Sequence, residues 1–229
     1  SNDNPALTNV TFSGNVAEID GGGMFNYEGD PVFSDVTFSG NQNFRGGGLY
    51  TTARLTVTNS TFTGNYASGT GGGIHNGAHD SDAILMINVT FTNNRAYYDG
   101  GGAYGGGTLI LNNVTFTDNW AGTNAGGLYA AGAASLTNVT FERNRGSNLG
   151  GGMTVAGTWP VTLDRVIFEE NYGPNSGGGL ASWSGNVTLN NVVFFGNSAH
   201  QGDAINIGNS GGGWTLNNVL ITGNGVGYA

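Results

Sequence analysis

Apolar and polar residues alternate in short bursts along this chain, and the bursts recur. With a repeated phenylalanine taken as position zero, Phe12, Phe38, Phe62, Phe91, Phe116, Phe141, Phe168 and Phe194 mark eight copies, and Ile221 marks a ninth. Two residues earlier stand Val10, Val36, Val89, Val114, Val139, Val166, Val192 and Val219, with Ser60 as the exception. A separation of two puts both side chains on one side of a strand, so positions −2 and 0 face a common interior. A third apolar residue stands five before the phenylalanine: Leu7, Phe33, Val57, Met86, Leu111, Leu136, Leu163, Leu189 and Leu216. Five is an odd offset, so the chain must bend between −5 and −2. Polar residues fill that gap at −3: Asn9, Asp35, Asn59, Asn88, Asn113, Asn138, Asn191 and Asn218, with Arg165 in the remaining copy. Asparagine suits a corner because it tolerates left-handed backbone angles and its amide bonds nearby backbone groups.

Two further positions complete the unit. At +3 every copy carries asparagine: Asn15, Asn41, Asn65, Asn94, Asn119, Asn144, Asn171, Asn197 and Asn224. Stacked about 4.8 Å apart, such amides can bond one another in a ladder along the stacking axis. Eleven or twelve residues after the phenylalanine comes a glycine triplet followed by an apolar residue, clearest at Met24, Leu49, Ile74, Met153 and Leu180. Helical repeats fail on the period of two and on the glycine content, since each glycine costs about 1 kcal/mol in a helix. The pattern predicts an all-β fold, a right-handed parallel β-helix (β-solenoid) of about nine laps of about 26 residues with three strands per lap. It forms one domain over residues 1–229, open at both ends, which reads as excised from a longer array or as a unit stacking head to tail. Each lap buries about four large apolar side chains at roughly 1.5–3 kcal/mol apiece. That is too little to offset the ordering entropy of the lap, so stability must be shared along the stack.

Composition sharpens this picture. The 44 glycines among 229 residues resolve largely into one triplet per lap, where the backbone turns tightly or approaches another layer. No triplet precedes a Lys-Ser/Thr pair or opens a helix, which removes the phosphate-loop reading. There is no cysteine, hence no disulfide or thiolate metal site. A net charge of −9 with only six basic residues, all arginine, argues against nucleic acid. No apolar run is long enough to span a membrane, so the chain is expected not to be membrane-embedded.

Candidate chemistry therefore lies in the outward columns. After the apolar residue of the triplet come Phe25, Tyr50, His75, Tyr104 and Tyr129 in the first five laps, then Thr154, Ala181 and Asn206. Five rings at one-lap spacing form an aromatic strip that either stabilises neighbouring strands or offers a platform to sugars or a partner. At +4 the run Tyr66, Arg95, Trp120, Arg145, Tyr172 alternates rings with guanidinium groups, as a cation–π ladder would. At −1 six threonines (Thr11, Thr37, Thr61, Thr90, Thr115, Thr140) give way to Ile167, Val193 and Leu220, with Phe195 beside them at +1. Those four residues predict an interface on the C-terminal laps. The loop from His75 to Asp82 holds two histidines and two aspartates, but a polar, glycine-containing loop is more simply solvated; no metal and no cofactor is expected. Asp99, Asp118 and Glu142 fall in different columns and there is no lysine, so no catalytic residues are assigned.

The alternating Phe-x-x-Asn and Gly-Gly-x-apolar motifs resemble the repeats of the chlamydial polymorphic outer-membrane proteins and related bacterial β-helix surface proteins. The family's second motif usually reads Gly-Gly-Ala-apolar, whereas here it is mostly Gly-Gly-Gly-apolar, as at Gly46–Leu49 and Gly177–Leu180. The resemblance implies an extracellular or cell-surface passenger, structural or adhesive and without catalytic activity. Its expected partners are a host or neighbouring-cell surface, a glycan, or copies of itself. Two other classes stay open at this point: a subunit of a self-assembling filament, and a β-helix that binds or cleaves polysaccharide.

Overall fold

The computed structural model describes residues 4–77, 83–183, 186–208 and 213–225. All regular structure among them is β, and every strand pairing is parallel. Three sheets wind around one axis, defining a parallel β-solenoid. The long sheet has two strands per lap, from −7 to −4 and around position zero. In the fourth and fifth laps these run together as single strands, Ala83–Thr92 and Thr108–Thr117. The second sheet is built from two-residue strands beginning at +4, such as Arg95–Ala96, and the third from the residues after the glycine triplet, such as Leu128–Ala130. Nine levels of the long sheet and eight strands of the third are present among the described residues.

The predicted bend is real. All nine −3 residues have left-handed backbone angles, from Asn59 at φ 49° to Asp35 at φ 57°, and Arg165 joins them at 53°. A second left-handed corner follows at +2, where Gly14, Gly40 and Gly64 are replaced in the middle laps by Asn93, Asp118, Arg143 and Glu170. A third lies at the start of the glycine triplet. There Ala125 takes the position of glycine at φ 57°, a conformation that costs a residue with a Cβ about 1–2 kcal/mol. The second glycine of the triplet answers to close approach instead. A Cβ at Gly47 would lie 2.3 Å from the carbonyl oxygen of Gly72 in the next lap.

Inside the coil the predicted columns hold through the first eight copies, whereas Leu216 and Ile221 of the ninth are 46 and 50 % exposed. The eight phenylalanines form one unbroken stack with ring centroids 4.7–4.9 Å apart and planes within 11° of parallel. Val36, Val57, Leu111, Leu136, Met153 and Leu180 pack beside them. The structure adds a core column at −7 that the repeat pattern did not single out: Leu55, Ile84, Leu109, Ala134, Val161 and Val187. Residues in that column vary from alanine to leucine and follow the corner where lap length changes, which hides their register in the sequence. The asparagines at +3 are buried from Asn41 to Asn197. Each side-chain oxygen accepts from the backbone N–H and the amide of the preceding lap, and each amide also donates to the phenylalanine carbonyl of the lap before, as Asn119 does to Asn144 and Phe91.

Candidate functional site

The third sheet carries the aromatic strip, and its surroundings follow from the triplet. Because the chain turns so tightly there, the residues just before the triplet stand beside the outward side chains that follow it. Arg45 lies 5.0 Å from the Tyr50 ring centroid and is held by Asp20 through two 2.8 Å hydrogen bonds. Thr70 Oγ1 is 2.8 Å from His75 Nδ1. On the opposite side, Tyr27, Glu28, Thr52 and Gly77 from the variable corner line a shallow groove.

The strip itself is continuous. Phe25, Tyr50, His75, Tyr104 and Tyr129 stack with centroids 5.4, 5.1, 4.6 and 5.1 Å apart and planes within 8° of parallel. Two aromatic residues outside the column extend it. Tyr27 stacks on Phe25 at 6.3 Å, and Trp183 meets Tyr129 edge-on at 6.3 Å. Column reading missed both because they sit at the variable corner, out of step with the repeat. The strip departs from a fully outward surface: Tyr50 and His75 are each only 7 % exposed, whereas Phe25 is 49 % exposed. Arg45 lies against Tyr50 and Thr70 against His75. Parallel stacking also decides what the strip offers. Ring faces are engaged with one another, so the strip presents ring edges outward.

Burial sets the electrostatics of this strip. Desolvation, aided by the Arg45 charge and opposed by the Thr70 hydrogen bond, pushes the His75 imidazole down to about 3, so the ring is neutral. Burial and the Asp99 carboxylate raise the Tyr104 and Tyr129 phenols, and burial raises Asp99 itself against the hydrogen bonds from Asn124. A neutral, desolvated His75 is a poor general base.

The second sheet carries the +4 column in the predicted order. Tyr66, Arg95, Trp120, Arg145 and Tyr172 pair in parallel register. Arg95 lies 4.2 Å from the Trp120 ring centroid and Arg145 lies 5.0 Å from that of Tyr172. At the neighbouring corner the structure brings together two acids that the sequence placed in separate columns. Asp118 grips Arg143 at 3.0 and 3.2 Å, and Glu142 pairs with the same guanidinium. Asp118, Arg143, Asn144, Arg145, Glu170 and Tyr172 line a cavity of about 230 Å³. Among the described residues no three metal-ligating side chains converge; His79, Asp80 and Asp82 lie outside the described residues.

On the C-terminal laps the apolar stripe is stacked in register, with Ile167 beside Val193 and Val193 beside Leu220. Ile167, Phe195 and Leu220 are 41, 46 and 54 % exposed, and Val193 is half-buried. No helix of the described residues is long and apolar enough to cross a membrane.

Three parallel sheets, a stacked phenylalanine core and a buried amide ladder define a repeat-built β-solenoid. Residues 59–77 and 88–106 match the model of the Chlamydia polymorphic membrane protein repeat. Each match opens on the left-handed asparagine at −3, Asn59 or Asn88, and closes just past the third-sheet strand, so it covers most of one lap. The solenoid thus contains repeats of this chlamydial type. No curated protein and no solved structure matches the chain significantly.

Proposed function

We propose that the chain is a cell-surface or extracellular solenoid with a structural or adhesive role and no catalytic activity. The observation that carries this reading is the pair of laps matching a repeat named for a membrane-protein family, set in a solenoid with ion pairs and stacked rings on its outside. Asp118 and Glu142 are tied to Arg143, Asp20 to Arg45, Asp164 to Arg165, and the strip rings to their neighbours. Such a surface favours persistent shape over acid–base chemistry. The stripe of Ile167, Val193, Phe195 and Leu220 supplies the contact face for a neighbouring cell surface, because it is the apolar interruption of an otherwise threonine-rich facet. Cells displaying the chain should adhere to a cell monolayer more than cells displaying a variant with Ile167→Thr, Val193→Thr and Phe195→Thr. Equal adhesion at equal display counts against the adhesive role.

A further inference from the structure

The facet of the long sheet around position zero changes along the axis, and its first five laps form a two-column array of hydroxyl groups. The rows are Thr11/Ser13, Thr37/Ser39, Thr61/Thr63, Thr90/Thr92 and Thr115/Thr117. Parallel pairing holds every row in register with the next, so each column runs straight. Row spacing is fixed by the phenylalanine stack directly beneath, where centroids are 4.8, 4.8, 4.9 and 4.7 Å apart over these laps. Within a row the two side chains are two residues apart, about 6.6–6.8 Å along a strand. None of the ten positions carries a charge.

Three properties make this array more than the ordinary preference of threonine for an exposed strand. The hydroxyls of Thr61, Thr63, Thr90, Thr92, Thr115 and Thr117 have no hydrogen-bond partner among the described residues; only Ser39 and Ser13 bond each other, at 3.0 Å. Their donors and acceptors are therefore left to water. The support is rigid, since the rings below are fully buried from Phe38 to Phe116, with Phe12 partly buried at the first row, and the asparagine ladder ties the same laps together. The array also ends abruptly: Glu142 enters the sixth row, and Ile167 with Glu169 replaces both threonines in the seventh.

Water bound to such anchors inherits their spacing. The row spacing lies close to the a-axis repeat of hexagonal ice and the within-row spacing lies near its c-axis repeat, and no charged side chain stands among the anchors. We propose that this facet, Thr11 to Thr117, binds the surface of ice through an ordered layer of water. The proposal is independent of the adhesive reading, which uses the laps beyond it.

The test is uptake of the intact 229-residue chain into a slowly growing ice hemisphere, read beside crystal faceting and inhibition of ice recrystallisation, with serum albumin as the excluded control. The chain should concentrate in the ice fraction and facet the crystals. A Thr90→Lys, Thr115→Lys variant should be excluded while keeping its cooperative melt. Exclusion of the unmodified chain overturns the proposal, and so does equal uptake of a folded double-lysine variant. Should that variant fail to fold, Glu142→Thr decides, because it adds a sixth row beside Thr140: greater uptake supports the proposal and unchanged uptake overturns it.

Discussion

Two asparagine ladders climb this solenoid at the same lap spacing, one inside and one outside. In the buried ladder at +3 each amide donates toward the following lap, as Asn94 does to Asn119 at 3.0 Å. In the exposed ladder at −3 the direction is reversed, with Asn113 donating back to Asn88 and Asn138 back to Asn113, both at 3.1 Å. The links are of similar length, yet the inner position is asparagine in all nine copies while the outer one accepts Asp35 and Arg165. Arg165 even keeps the outer chain of contacts, its Nε reaching Asn138 Oδ1 at 2.7 Å. The difference lies in what water can replace. Asn119 satisfies four partners that have no access to solvent, whereas Asn113 must chiefly hold a left-handed angle of 53° at an exposed corner. Burial, more than the hydrogen bond as such, fixes residue identity.

The sharpest break of this comparison is Asn119→Ala. It removes four buried hydrogen bonds: the Asn94 backbone N–H loses its acceptor, at about 1–3 kcal/mol, while the Asn94 amide, the Phe91 carbonyl and the Asn144 side-chain oxygen, which keeps the backbone N–H of residue 119, each lose one partner, at about 1 kcal/mol apiece. A loss of at least about 4 kcal/mol in denaturant unfolding is expected, and a loss near 1 kcal/mol would show that the ladder is dispensable.

The same rule predicts a pH effect at His75, where stacking alone would predict none. Its folded value of about 3 lies below the unfolded value near 6.5, so protonation favours the unfolded chain. The contribution is intact above about pH 6.5 and is lost progressively as pH falls toward 3, reaching up to about 3 kcal/mol by pH 4. Melts at pH 7 and pH 4 should therefore separate more for the natural chain than for His75→Phe, which keeps the ring stack without the titration. Identical separations would mean that His75 is protonated in place.

The smallest effect belongs to the outer ladder. Asn113→Ala should cost about 1–2 kcal/mol, mostly from forcing alanine into a left-handed angle. Asn113→Gly should cost a few tenths or less, because glycine adopts that angle freely. If the two variants melt alike, the amide link matters more than the corner.

The sequence was most legible where every lap imposes the same demand. Phe141 and Asn144 meet near-identical neighbours above and below, so their columns repeat and can be read from spacing. The core column through Leu55, Ala134 and Val161 was not read, since it tolerates different sizes beside a corner of variable length. The strip was read as a column but not as a covered one. Nothing in the spacing says that Arg45 would lie over Tyr50, or that Trp183 would reach Tyr129. The cluster of Asp118 and Glu142 on Arg143 escaped for a similar reason: the left-handed corner at +2 re-aims side chains that an extended strand would keep apart.

By itself, the sequence determined the lap, the inward columns at −5, −2 and 0, the bend at −3, the turn at the glycine triplet and the parallel stacking, because each is a local pattern repeated along the chain and only one winding satisfies them together. Tertiary structure alone decided which outward residues are covered, which charges meet, and that the threonine rows lie on one rigid facet with their hydroxyls unengaged. Those outcomes depend on how far one lap's turn leans over its neighbour, a distance set by backbone packing between laps and written in no single repeat.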